Sequence, residues 1–170
     1  VTLGIFSLPL LERPEAREMA LSGSIVQMIS HGLISAAMFL IVGMIYHACH
    51  SRMIADLGGL ASKMPWLAVL LIGLSFANAG LPGTSGFIGE FLVILAAWQV
   101  NPLISALAAL TLVVGAAYTL YMIRRIAFGT ATTAVQEAKA LRRLDMAILT
   151  LLLLLVIVFG CWPQPLLGIL

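Results

Sequence analysis

Residues 64–99 read MPWLAVLLIGLSFANAGLPGTSGFIGEFLVILAAWQ, a stretch of 36 residues whose only formal charge is Glu90. As one straight helix it would measure about 54 Å, against a bilayer hydrocarbon core of about 30 Å. The excess length has to be tilted or broken. A breaker sits in the middle, in Gly80-Leu81-Pro82-Gly83-Thr84-Ser85-Gly86. Pro82 removes a backbone donor there, and Gly83 and Gly86 permit unusual dihedrals. The expectation is a discontinuous helix with halves at about 64–80 and 84–99, Thr84 or Ser85 capping the second. Such a break at membrane depth is tolerated only where protein covers it or where it lines a wet cavity.

The remainder of the chain extends this reading. With 62% apolar residues, 9% charged residues and a mean hydropathy of +1.11, it is far from a soluble domain, whose charged fraction is about 25%. Apolar runs long enough to span a bilayer predict further helices at about 19–46, 102–125 and 145–162. The opening residues VTLGIFSLPLL read as the end of one more. The fold class is therefore all-α integral membrane: a single membrane domain over residues 1–170, with four transmembrane helices after the tail of a fifth. Residues 134–143, AVQEAKALRR, pattern as a short amphipathic surface helix. The chain starts at Val1 in mid-apolar sequence, without a basic n-region or cleavage site, and so reads as a piece lacking an N-terminal part, not as a signal peptide.

Charge sits in the loops. Residues 47–63 hold Arg52 and Lys63, and residues 124–143 hold Arg124, Arg125, Lys139, Arg142 and Arg143. Alternation across the bilayer puts these seven on one side and Arg13 and Arg17 on the other, so the basic side is expected to be cytoplasmic, with the C-terminus outside. Trp66, Trp98 and Trp162 fall near expected helix ends, as interfacial tryptophans do. A net charge of +2, with no basic patch interleaved with aromatics, excludes a nucleic-acid partner.

Glu90 is the first functional candidate. An ionised acid at the centre of a spanning helix costs roughly 2.5 to 3.5 kcal/mol on insertion scales, so such residues mark ion or proton pathways by default. A helix beginning near Thr84 puts Glu90 in its second turn, near the positive end of the helix dipole. The bland alternative is a structural carboxylate held by a lysine or arginine. His31, near the middle of its helix in SHGLISAAMF, is the second candidate. An imidazole can take a proton on one nitrogen and lose one from the other, although a lone histidine on an apolar helix also fits a satisfied core residue. Ser30, Ser35 and Gln27 are near enough in sequence to bond it or to hold water. His47, Cys49 and His50 are close together, but recognised zinc patterns need a second ligand pair, so no metal is expected. The chain has no glycine-rich phosphate loop, nucleophile-base pair or cysteine cluster, and no cofactor is expected on it.

The segments VQMISHGLISAAMFLIVGMIYHACHSR (26–52), DLGGLASKMPWLAVL (56–70), GLPGTSGFIGEFLVIL (80–95), YMIRRIAFG (121–129) and WPQPLL (162–167) resemble the M subunits of bacterial NADH:quinone oxidoreductase, complex I. The resemblance implies the last four helices of an antiporter-like subunit built from inverted repeats, each with one broken helix, in a multi-pass protein of the bacterial inner membrane. Glu90 matches the acidic residue of the second broken helix, at the outward end of the proton path. His31 matches the relay histidine of the preceding helix, which implies a buried His31/Glu90 relay, and Pro82, Gly83, Thr84, Ser85 and Gly86 match the break. The related L and N subunits usually carry lysine where Glu90 stands. NAD, flavin, iron-sulfur clusters and quinone are implied for other subunits, and L-like and N-like subunits, lipid and protons for partners. The family's remaining buried charges belong to helices absent here, so this segment alone is not expected to pump. Two alternatives stay open: a cation/proton antiporter or membrane-bound hydrogenase subunit, and a structural membrane subunit with no transport.

Overall fold

The structure is a computed structural model that describes residues 1–10 and 12–168. Its elements, in chain order, are α1 (Thr2–Ser7), α2 (Pro14–Cys49), α3 (Leu60–Lys63), α4 (Pro65–Asn78), α5 (Ser85–Val100), α6 (Pro102–Ala127), α7 (Thr133–Gln136), α8 (Arg143–Cys161) and α9 (Gln164–Leu167). Three of them, α2, α6 and α8, are long and apolar enough to cross a membrane. The expected fourth crossing is the pair α4 and α5, of 14 and 16 residues. Each half is shorter than the roughly 20 residues a crossing needs.

The helix ends follow from ordinary capping chemistry. Pro14 occupies the first turn of α2 with Glu15 beside it, a position where the missing proline donor is harmless and a carboxylate suits the dipole. This carries α2 outward past its apolar run. Asn101 closes the α5–α6 connection, its side chain accepting from the backbone N–H of Leu103 and Ile104 at 3.0 and 3.2 Å.

α2 is the spine. It is 36 residues long, about 54 Å, and runs antiparallel to both halves of the broken helix. Ala16 and Ala20 pack with Ala96, Gln27 meets Glu90, Ser30 meets Ser85 and Ile34 meets Ala77. Beyond these, Ala37, Ile41, Met44 and Ile45 join Leu67, Leu70 and Leu74 in the largest apolar cluster. Against α5 the paired numbers sum to 115–117, and against α4 the sum falls to 111 for Ile34 and Ala77. The offset is the extra chain taken up by the break. Along α5 the seam consists of small residues. A Cβ on Gly89 would lie 2.7 Å from the Gln27 backbone nitrogen and 2.8 Å from its Cα, so the two helices approach with no room for a side chain, as membrane helices do where packing and hydrogen bonds replace the hydrophobic drive.

The outside of the bundle is apolar. Leu103, Leu107, Leu110, Val113, Val114, Tyr118 and Tyr121 of α6 are exposed, as are Leu144, Leu151 and Leu154 of α8, while Ser24, Ser30, Ser75, Ser85 and Ser105 are buried. This polarity is the reverse of a soluble bundle and suits hydrocarbon surroundings.

At one end the two basic loops are hydrogen-bonded together: the Gly59 N–H donates to Phe128 O, the Thr132 N–H to Gly58 O, and the Lys139 N–H to Ala48 O. Here the amphipathic helix expected over 134–143 is corrected. Only Thr133–Gln136 is helical, because fully buried Val135 plugs the bundle end and Lys139 spends its backbone donor on α2 instead of a helical turn.

Because of the Gly89 seam, Gly89→Ala in the full-length subunit should destabilise it by about 1 to 3 kcal/mol, the usual cost of overpacking. The control is Gly43→Ala, on the same α2 spine with open space around it, which should be neutral or mildly stabilising. Thermal unfolding in detergent would separate the two; equal melting temperatures would contradict the close approach.

Candidate functional site

The end of α4 and the turn after it are closed by backbone hydrogen bonds. At the end of α4 the Gly80 N–H donates to Ala77 O at 3.2 Å and the Leu81 N–H to Phe76 O at 3.0 Å, with Gly80 at φ +73°. This is a Schellman cap, in which one left-handed residue satisfies the last carbonyls of the helix. A β-turn follows. The Thr84 N–H donates to Leu81 O at 3.1 Å, Pro82 takes the first central position and Gly83, at φ +92°, the second, the arrangement of a type II turn. The chain thus crosses from one helix to the next with few exposed backbone groups, as the low-dielectric setting demands.

Capping of the second half differs from the sequence expectation. Thr84 stands at the N-cap of α5 but makes no capping bond; its hydroxyl donates backwards to Leu81 O at 2.7 Å and tightens the turn. The Ser85 hydroxyl is buried without a partner. The backbone of Ser85 is tied to α2 instead, its carbonyl accepting from Ser30 Oγ at 3.1 Å.

Glu90 lies in the second turn of α5, half-buried. Gln27 of α2 donates from Nε2 to its Oε1 at 3.1 Å, whereas Glu90 Oε2 is buried and unpartnered. Among the described residues no lysine or arginine pairs with it, so the structural reading of a carboxylate pinned by a cation finds no support. Oε2 is folded over the cap of α4: a Cβ on Gly80 would lie 2.5 Å from it. The carboxyl of the second half-helix therefore sits on the C-terminal end of the first; glycine at 80 is required by its φ, and a Cβ there would displace the carboxyl.

His31 is exposed on α2, not buried as expected, and its ring nitrogens lie 3.4 and 3.2 Å from Ser35 Oγ. It stands one turn along α2 from Gln27, within electrostatic range of Glu90. The three polar neighbours proposed for His31 thus divide: Ser35 bonds it, Ser30 bonds the backbone of Ser85, and Gln27 bonds Glu90. Gln27 is the polar residue whose partner sequence reasoning misplaced. The available signal was its i, i+4 spacing with His31, which puts both on one helical stripe.

Two grooves flank the break. One of about 400 Å³ is lined by Val69, Phe76, Pro82, Thr84 and Leu153 among others, and one of about 320 Å³ by Phe76, Gly80, Pro82, Leu112 and Ala116 among others. Both are mainly apolar, and neither is lined by Glu90 or His31. Cys161 lies beside the break, with Sγ 3.7 Å from Gly83 O, while Cys49 is buried at the end of α2 that meets the basic loops.

Comparison with known proteins gives a consistent picture. A family model described as NADH:quinone oxidoreductase/Mrp antiporter, TM, matches residues 15–116. NADH-quinone oxidoreductase subunit M of Rickettsia typhi is 41% identical over 170 residues, covering 99% of this chain and 33% of that protein. The chain thus spans about a third of the length of the curated relatives it matches. A chain of respiratory complex I from Thermus thermophilus with bound NADH superposes with a TM-score of 0.82 at 29% identity, over 98% of this chain and 35% of that one. A chain of the Mrp complex from Dietzia sp. superposes with a TM-score of 0.72 at 22% identity, over 88% of this chain and 36% of that one, a likeness of fold.

The Gly80 geometry can be tested in the full-length subunit. Gly80→Ala meets both a left-handed φ, costing about 1 to 2 kcal/mol for an L-residue, and the Glu90 carboxyl. Gly83→Ala meets the φ alone, with open space around it. Thermal unfolding should show the larger loss for Gly80→Ala, and Glu90→Ala should partly relieve that loss while leaving the Gly83→Ala defect unchanged.

Proposed function

Since the chain belongs to the NADH:quinone oxidoreductase/Mrp antiporter membrane family, we propose that it is the C-terminal part of an M-type subunit of a bacterial NADH:quinone oxidoreductase, and that it takes part in moving protons across the membrane. The observation that carries this reading is the setting of Glu90: a half-buried carboxyl at a helix break, bonded by a neutral amide and, among the described residues, by no lysine or arginine. A carboxyl pinned by lysine or arginine is held in its ionised form. One facing an amide keeps a hydrogen-bond donor whether or not it carries its proton, as a carrier requires.

In this reading Glu90 takes and gives the transported proton, and His31 is the relay on the neighbouring helix. Pro82, Gly83, Thr84, Ser85 and Gly86 supply the break, which ends α4 beneath the carboxyl and starts α5 just before it. The positive end of the α5 dipole favours the ionised state only weakly at the second turn, so the carboxyl remains exchangeable. The chain's part is confined to proton movement. Redox chemistry, with NAD, flavin, iron-sulfur clusters and quinone, belongs to other subunits of the complex, and L-like and N-like antiporter subunits are the membrane neighbours.

The subunit sits in the bacterial inner membrane. We place the joined loops 47–63 and 124–143 in the cytoplasm, on the strength of their seven basic residues and the positive-inside rule. Their mutual hydrogen bonds support a common side. The expected outward C-terminus falls on Leu170, outside the described residues.

Glu90→Gln in the complete subunit, assembled in its complex and reconstituted in membrane vesicles, should abolish NADH-driven proton uptake while NADH oxidation by the extramembrane part persists. Normal proton uptake would overturn the reading. Absence of the subunit from the purified complex would assign Glu90 a structural role instead.

A further inference from the structure

Four atoms of Gln27 and Glu90 form an incomplete pattern. Gln27 Nε2 donates to Glu90 Oε1 at 3.1 Å. The other oxygen of each group, Gln27 Oε1 and Glu90 Oε2, is buried and has no partner among the described residues. Both are acceptors when the carboxyl is ionised, and two buried acceptors without donors are costly. A carboxylic acid carries one O–H donor that the carboxylate lacks, and a primary amide offers N–H at one end and C=O at the other. A single proton on Glu90 Oε2 supplies the donor that the pattern lacks.

We propose that Gln27 is the positioning residue that holds the Glu90 carboxyl in both of its charge states, through the amide N–H that Glu90 Oε1 can accept whether the carboxyl is ionised or protonated. This inference rests on the proton-carrier reading of Glu90 and adds the group that makes the carrier reversible. The amide gains and loses no proton; the only proton that moves is the one on Glu90. A lysine at position 27 would favour the ionised carboxyl alone, and an aliphatic side chain would leave the ionised carboxyl without a donor. Glutamine is the side chain of sufficient length that serves both states without a charge of its own.

The surroundings hold the amide in place. Gly89 leaves the space that Gln27 crosses, since a Cβ there would lie 2.7 Å from both the backbone nitrogen and Oε1 of Gln27. Gly80 leaves the space for Glu90 Oε2. Ser30, three residues on, fixes α2 against the first residue of α5 and so sets the register between amide and carboxyl. Two glycines and one interhelical hydrogen bond thus keep a neutral pair at the break.

The test uses the full-length subunit in its assembled complex, with three variants and two readouts. Gln27→Met keeps the length of the side chain and removes the amide, Gln27→Asn keeps the amide and shortens the reach, and Glu90→Gln removes the carboxyl. The readouts are protons moved per NADH oxidised and the infrared carboxyl band of Glu90, identified by its loss in Glu90→Gln. The expected result is a shifted carboxyl band in Gln27→Met and Gln27→Asn, with several-fold fewer protons moved per NADH oxidised. An unmoved band with normal uptake in either assembled Gln27 variant would overturn the proposal, and if both fail to assemble Gln27 is a packing residue and the proposal falls equally. Normal uptake in Glu90→Gln would bring down the carrier reading itself; loss there with a normal Gln27→Met would bring down only the role of Gln27.

Discussion

A polypeptide that breaks its helix in the middle of a bilayer has to satisfy the freed backbone groups from its own atoms. Water is scarce there, and an unsatisfied N–H or C=O costs several kcal/mol. The six residues between Asn78 and Ser85 meet this requirement on the α4 side with a Schellman cap and a type II turn in immediate succession. Everything notable in the molecule is arranged around that short passage. The unbroken 36-residue α2 lies against both halves and keeps them antiparallel to itself, so the break adds a kink and a polar surface without detaching one half from the other. The small residues of the α2–α5 seam bring the backbones close enough for side chains as short as serine to reach across.

The same closeness determines the electrostatics. With no bulky side chain at positions 80 and 89, the carboxyl of Glu90 rests on the end of α4 and the amide of Gln27 rests on the face of α5. A carboxyl in such a place is ordinarily neutralised by a cation. Here the nearest donor is an amide, and the buried hydroxyls of Ser75 and Ser85 are also unpartnered. Polar atoms without partners are rare in folded proteins, and their concentration around one helix break separates this region from the well-satisfied remainder of the bundle.

Much of this was legible in the sequence because the signals were strong and local. Length against bilayer thickness demanded a break in residues 64–99, and proline with two glycines located it. A single acid in an apolar run marked Glu90. What could not be read were facts of three-dimensional pairing. Nothing in the order of residues shows that Gln27 faces Glu90 and not His31, because both lie on the same stripe of α2 and the choice depends on how α5 is rotated. The burial of His31 was misjudged because its depth along the helix says nothing about its direction. Thr84 was placed correctly at the cap position, but its hydroxyl turns into the preceding turn, since a carbonyl three residues back competes with the helix for the same group. The amphipathic pattern of 134–143 was outweighed by burial of Val135 against the end of the bundle.

Gly160 sits near the end of α8, a helix of which only Leu149 and Val156 are buried. A side chain at 160 would overlap the backbone of Gly83 and Thr84, so the shape of the turn is imprinted on a helix more than seventy residues away in sequence. The exposed positions of α8 ask only for apolar side chains, whereas position 160 excludes any side chain at all. That exclusion also ties the two segments mechanically: α8 cannot slide along its axis past the turn, and any displacement of the break has to carry the end of the last long helix with it.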